Sequence, residues 1–200
     1  MTNSKILRIG SMAIALIALL AAPAFAQTTG DAHGPEHGVP GEHVEDDKAF
    51  DQLVRGIDVL PDREAMEERW PDADKRLIDV ATDTDNTEYE RWRATSLLAN
   101  FSGDHVRDTL VELTDDSTDR VRQQAFYTLG TAFLEEGDDE LFELLKQGLA
   151  EDSESIRIRI VRSLGWTDHT GAHELLEELK SCDERKELNS HAERALDRID

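Results

Sequence analysis

Residues 119–130 read DRVRQQAFYTLG: an apolar Val121 followed by Arg122, a small Ala125 four positions on, and Leu129-Gly130 four positions after that. Three other stretches carry the same spacing, namely Glu90-Arg91, Ala94 and Leu98-Ala99, then Ile156-Arg157, Ile160 and Leu164-Gly165, then Leu188-Asn189, Ala192 and Leu196-Asp197. Their second positions, 91, 122, 157 and 189, are 31, 35 and 32 residues apart. Positions four apart fall on one side of an α-helix. A helical hairpin of this length cannot bury its own stripe, so the recurrence predicts hairpins stacked one on the next.

Between these motif helices lie segments with apolar residues at helical spacing, which predicts outer helices at about 72–82, 104–114, 138–150 and 171–181. Their core residues read as Leu77, Ile78 and Val80, then Val106, Leu110 and Leu113, then Leu141, Leu144, Leu145 and Leu149, then Leu175, Leu176 and Leu179. The motif helices are expected at about 87–101, 118–134, 155–166 and 186–199, with Thr87 and Glu90 spaced as a capping box. Gly103, Gly137 and Gly171 fall in the intervening turns. Trp70, Trp92 and Trp166 read as core anchors. No segment alternates with period two over a strand's length. The fold class that follows is all-α, an α-solenoid of about four hairpins.

The runs from Asp119 to Gly130 and from Ser155 to Gly165 resemble the second helix of HEAT repeats, most closely the short bacterial HEAT-like type also found in phycobilin lyases. The resemblance covers 71–200; the first unit departs from it at Glu90 and the last at Asn189. It implies a solenoid whose motif helices line an inner face used to hold a protein or peptide, and it implies no catalytic residues. In such repeats the motif arginine pairs with a loop acid. Arg91, Arg122 and Arg157 are therefore expected to form a structural ladder, with Asp85, Asp116, Asp119 and Asp152 in suitable loops.

Outside the repeats, Met1–Ala26 carries Lys5 and Arg8, an apolar run from Met12 to Ala22 and the small-x-small end Ala24-Phe25-Ala26. That is a secretory signal with cleavage expected before Gln27, and its apolar run is shorter than the ~20 residues that span a bilayer. Periplasmic or secreted location follows, with no membrane insertion after cleavage. Residues 27–47 read as a disordered tether, because Val39 and Val44 are its only bulky aliphatics. Its His33, His37 and His43 lie beside carboxylates and are weak candidates for a divalent metal. Residues 48–70 read as a helical cap, with Phe50, Leu53, Val54, Ile57 and Leu60 on one helix face and Pro61 opening the next helix.

The formal charge is −22, and losing Lys5 and Arg8 with the leader makes it −24. Such a chain repels nucleic acid at long range. Cys182 is alone, which excludes an internal disulfide. Against this acidity the motif helices concentrate arginine: Arg91, Arg93, Arg120, Arg122, Arg157, Arg159, Arg162, Arg194 and Arg198. In-register stacking would set Arg93, Gln124, Arg159 and His191 in one stripe, and Ser96, Tyr127, Arg162 and Arg194 in another. Guanidinium forks beside a phenol suit carboxylates on an extended chain, so an acidic protein or peptide is the expected partner.

Catalytic signatures are sparse. His169 and His173 flank Gly171 at a spacing seen in zinc sites, but without the glutamate of the zinc-protease motif, and either Thr170 or Asp168 would cap the helix between them. No glycine-rich phosphate loop or nucleophile elbow appears, so the reading is non-enzymatic and assigns no cofactor. An enzyme or enzyme accessory of the lyase-associated type, and a metal-handling envelope protein using the tether histidines, are the alternatives.

Overall fold

The computed structural model describes residues 42–56 and 61–199. Among these are ten α-helices and no strand: α1 Glu42–Arg55, α2 Arg63–Arg69, α3 Ala73–Thr82, α4 Glu88–Leu97, α5 Asp104–Glu112, α6 Asp119–Ala132, α7 Asp139–Gly148, α8 Glu154–Leu164, α9 Thr170–Lys180 and α10 Lys186–Ile199. The hairpins α3/α4, α5/α6, α7/α8 and α9/α10 are the four expected units of an α-solenoid. Short 3₁₀ turns at Leu98–Asn100 and Leu113–Asp115 tighten the ends of α4 and α5.

The apolar motif positions explain themselves by packing. Val121, Ala125 and Leu129 are wholly buried, as are Ile156, Ile160 and Leu164. Leu188 and Ala192 repeat the pattern in α10. The leucines each gain roughly 1.5–3 kcal/mol by leaving water, and the middle alanines Ala94, Ala125 and Ala192 let the neighbouring helix come close. Where the motif ends in glycine the approach is closer still: a Cβ on Gly165 would stand 2.8 Å from Ala195 Cα, and one on Gly130 would meet Ser163. Glu90, the exception in the first unit, serves the other way, closing the capping box with Thr87 and accepting Arg55 Nε at 2.6 Å.

Successive motif helices α4, α6, α8 and α10 pack closely on one another, whereas the outer helices α3, α5, α7 and α9 touch each other only lightly. A stack tight in one layer and splayed in the other bends toward the tight layer. The motif helices therefore form the inner face. Outer neighbours are tied instead by polar contacts, His105 Nε2 to Asp74 at 2.7 Å and Arg107 Nη2 to Asp138 at 2.9 Å. Gly137, in the loop before α7, has φ +85°, a left-handed conformation that favours glycine.

The N-terminal cap differs from expectation at both ends. Helix α1 starts at Glu42, inside the stretch read as a tether, because Asp46 and Asp47 are held: Trp70 Nε1 donates to Asp46 at 2.7 Å, and Arg76 bonds Asp46 at 3.0 Å and Asp47 at 2.8 Å. Phe50 sits edge-on to Trp70 with ring centroids 5.3 Å apart. The helix stops at Arg55 rather than Leu60, and Ile57 and Leu60 lie outside the described residues. Pro61 precedes the next helix by two positions, since Asp62 takes the cap by accepting the Ala65 N–H at 2.9 Å. The leader and residues 27–41 also lie outside the described residues.

Candidate ligand-binding face

The arginine that follows the first motif position does the same thing in three units. Arg91 Nε donates to the Ala81 carbonyl at 3.0 Å while its Nη atoms pair with Asp116 in the next loop. Arg122 donates to the Asp116 carbonyl at 2.7 Å, and reaches Asp119 at 2.8 Å and Glu151 at 3.3 Å. Arg157 donates to the Glu151 carbonyl at 2.7 Å and to Glu187 at 3.2 Å. Each guanidinium thus fixes the loop behind it and grips an acid from the unit ahead. Burial opposes charge on Asp116, but Arg91 and Thr118 outweigh it and hold the carboxyl below its usual range. Burial likewise disfavours the Arg122 cation, and Glu151 and Asp119 reverse that. Among the described residues Asp85 has no arginine partner, and Asp152 contributes its carbonyl rather than its carboxylate.

Three of the four residues two positions further on, Arg93, Gln124 and Arg159, lie deeper than their sequence suggests, and His191 lines an open recess. Gln124 is only 4% exposed. Its Oε1 accepts from Trp92 Nε1 at 3.2 Å and from Arg159 Nη2 at 3.3 Å, and its Nε2 donates to Thr128 at 3.2 Å. One amide therefore joins three consecutive motif helices. Arg93 is buried as well. Arg159 lies over the Tyr127 ring at 4.0 Å, with its Nε buried and lacking a hydrogen-bond partner. Burial pulls its cation down, Tyr127 opposes this, and Arg162 adds to it. These residues knit the stack more than they face solvent.

The stripe five positions after the motif arginine stays open. Ser96 and Tyr127 line a recess of about 350 Å³ that also includes Ala99, Asn100, Thr128 and Thr131. Arg162 and Arg194 line a second recess of about 130 Å³ with His191 and Arg198. Neither Arg162 nor Arg194 has a hydrogen bond or an ion pair among the described residues. Burial lowers the His191 imidazole below its usual pKa, Arg194 and Arg162 push it further down, and Glu154 opposes them.

Three aromatic contacts escaped the sequence reading. Trp166 is 60% exposed rather than a core anchor, and Arg198 sits over its ring at 5.0 Å. Trp92 is half-buried and carries Arg120 at 4.3 Å, with Tyr89 alongside. An arginine spaced beside an aromatic on the same or the next motif helix was the available signal, and it needs the inter-helix register to be read.

At the α9 end, His169 itself caps the helix, its Nδ1 accepting the Gly171 N–H at 3.1 Å in place of Thr170 or Asp168. Its ring stacks on Phe142 with centroids 4.6 Å apart. Gly171 is inside α9, where a Cβ would press on Phe142 at 2.8 Å, so close packing rather than a turn requires it. No group of three or more potential metal ligands occurs among the described residues. His33 and His37 lie outside them, and His43 falls in the first turn of α1.

Comparison with known proteins agrees with this architecture. Residues 75–157 match the family model of HEAT repeats. Human deoxyhypusine hydroxylase in complex with glycerol is similar in fold, with 23% identity and a TM-score of 0.50 over 63% of this chain, which spans 43% of that one. A designed armadillo repeat protein in complex with the peptide (KR)4 matches at 18% identity and a TM-score of 0.45, covering 80% of this chain and 77% of that one. No curated protein matches.

Proposed function

We propose that this chain, whose residues 75–157 match the family model of HEAT repeats, is an exported scaffold that holds an acidic or extended polypeptide segment of an envelope protein on the inner face of its solenoid. The observation that carries the reading is a division among the motif-helix arginines. Arg91, Arg122 and Arg157 are committed to carboxylates of the fold, whereas Arg162 and Arg194 are committed to none among the described residues. In a chain with 44 acids against 22 lysines and arginines, two guanidiniums that line one recess without a carboxylate leave a locally positive surface. Each guanidinium offers a planar pair of donors to a ligand's carboxylate, and Tyr127 adds apolar area to the face.

The spacing suits an extended chain. Neighbouring helices stand ~8–10 Å apart and a strand rises ~3.3 Å per residue, so roughly every third ligand residue meets a new unit. The ladder keeps that spacing regular.

Capture from envelope extract tests the reading. The native chain should retain a partner that Arg162→Glu combined with Arg194→Glu loses, while circular dichroism shows the variant still helical. Equal capture by both removes this role for the face. Export is supported by the pattern of Met1–Ala26, and fractionation followed by N-terminal sequencing should find Gln27 as the first residue. A cytoplasmic form retaining Met1 contradicts export.

A further inference from the structure

The recess between α8 and α10 gathers Arg162, Arg194, Arg198 and His191 around about 130 Å³, enough for one small anionic group and a few waters. Arg194 and Arg198 stand four apart on one helix, a like-charge pair that disfavours the helix. Among the described residues Arg55, Arg63, Arg76, Arg91, Arg107, Arg122 and Arg157 have carboxylate partners, while Arg69, Arg120 and Arg159 lie over aromatic rings. Arg162 and Arg194 have no carboxylate partner among the described residues, and Arg198 rests on Trp166 instead. Three guanidiniums and an imidazole around one recess, with no carboxylate among its lining residues, make a setting that suits an anion.

We infer that this recess is a proton-coupled carboxylate site, anchoring one acidic group of the bound segment through Arg162 and Arg194 and taking up a proton at His191 as it fills. The inference rests on the acidic-segment reading above and adds which part of the face carries the anchor. Arg162 and Glu154 act on His191 from α8, and Arg194 acts on it from α10. In the empty site burial and the two arginines together disfavour the imidazolium. A bound carboxylate cancels part of that field, so the imidazole binds a proton more readily in the complex. Binding then tightens as pH falls, as long as the ligand's own carboxylates stay ionised.

The test uses the full chain and an alternating glutamate–glycine decapeptide, with its C-terminal amide and the glutamine–glycine analogue as companions. Calorimetric affinity for the acidic peptide should rise about tenfold from pH ~8 to pH ~6. His191→Gln should bind at the native chain's high-pH affinity throughout. Arg194→Gln should lose about tenfold at both pH values without a lower Tm, because the substitution also relieves repulsion. Weaker binding of the amide assigns the anchored carboxylate to the chain end; equal binding assigns it to a side chain. Native affinity that ignores pH, native-like binding by Arg194→Gln, or inorganic phosphate binding more tightly than the peptide each overturns the inference. If the acidic peptide binds no better than its glutamine analogue, the acidic-segment reading falls and takes this one with it.

Discussion

Arg157 and Arg162 lie on the same helix, α8, and have opposite fates. Arg157 is half-buried, donating to the Glu151 and Asp152 carbonyls at 2.7 and 3.0 Å and to Glu187 at 3.2 Å. Arg162 is exposed and bonds to nothing among the described residues. Five positions carry the side chain from the loop edge of the helix to the open inner surface. A guanidinium at the first place holds the stack together; at the second it is available to a ligand. The same residue type is therefore bound into the fold or left open to solvent according to where the repeat sets it.

The largest effect that should separate the two roles comes from Arg91, the most deeply buried member of the ladder at 4% exposure. Arg91→Leu strands Asp116 and the Ala81 carbonyl, and should cost about 3–5 kcal/mol in denaturant unfolding. A loss under ~1 kcal/mol would show that the ladder is ornament on a stack held by its leucines. Next comes Gly165→Ala, which forces α8 off the Ala195 backbone and should cost about 1–3 kcal/mol. Gly137→Ala, strained by its left-handed φ, should cost roughly 1 kcal/mol.

A smaller effect is acid sensitivity. Asp116 and Glu90 both have folded pKa values held below their unfolded ones, the latter by Thr87 first, with Arg55 adding against slight burial. Their contribution is present in full above the unfolded carboxyl range, about pH 4, and is lost as pH falls through the folded values. Asp116→Asn should therefore unfold with a shallower acid limb than the native chain. An unchanged limb would place the acid-labile contacts elsewhere. The smallest effect expected on stability is that of Arg162→Ala, within ~0.5 kcal/mol of native.

The repeat itself was legible because its signal is local. Val121, Ala125 and Leu129 name one helix face without reference to anything else in the chain, and the outer helices follow from the same spacing. Three features resisted for one shared reason, that their partners are some thirty residues away. Asp46 and Asp47 look like tether residues until Arg76 and Trp70 are seen to hold them. Gln124 looks exposed until Trp92 and Arg159 close over it. Trp166 looks like core until α10 is seen to leave it open beside Arg198. His169 shows a different limit, since a histidine capping its own helix through Nδ1 has no distinctive spacing. On the candidate face Ser96, Tyr127, Arg162 and Arg194 stay accessible at their five-position places because register between units is nearly constant. At the two-position places Arg93 and Gln124 are buried while His191 reaches the recess beside Arg194, because depth depends on how closely the neighbouring helices approach.

The most direct test measures unfolding and peptide binding on two variants from the same helix. Arg157→Ala should lose stability and keep its affinity for the glutamate–glycine decapeptide, while Arg162→Ala should keep native stability and lose about tenfold in affinity. An Arg162→Ala protein that binds like the native chain, or one that unfolds as readily as Arg157→Ala, contradicts the account.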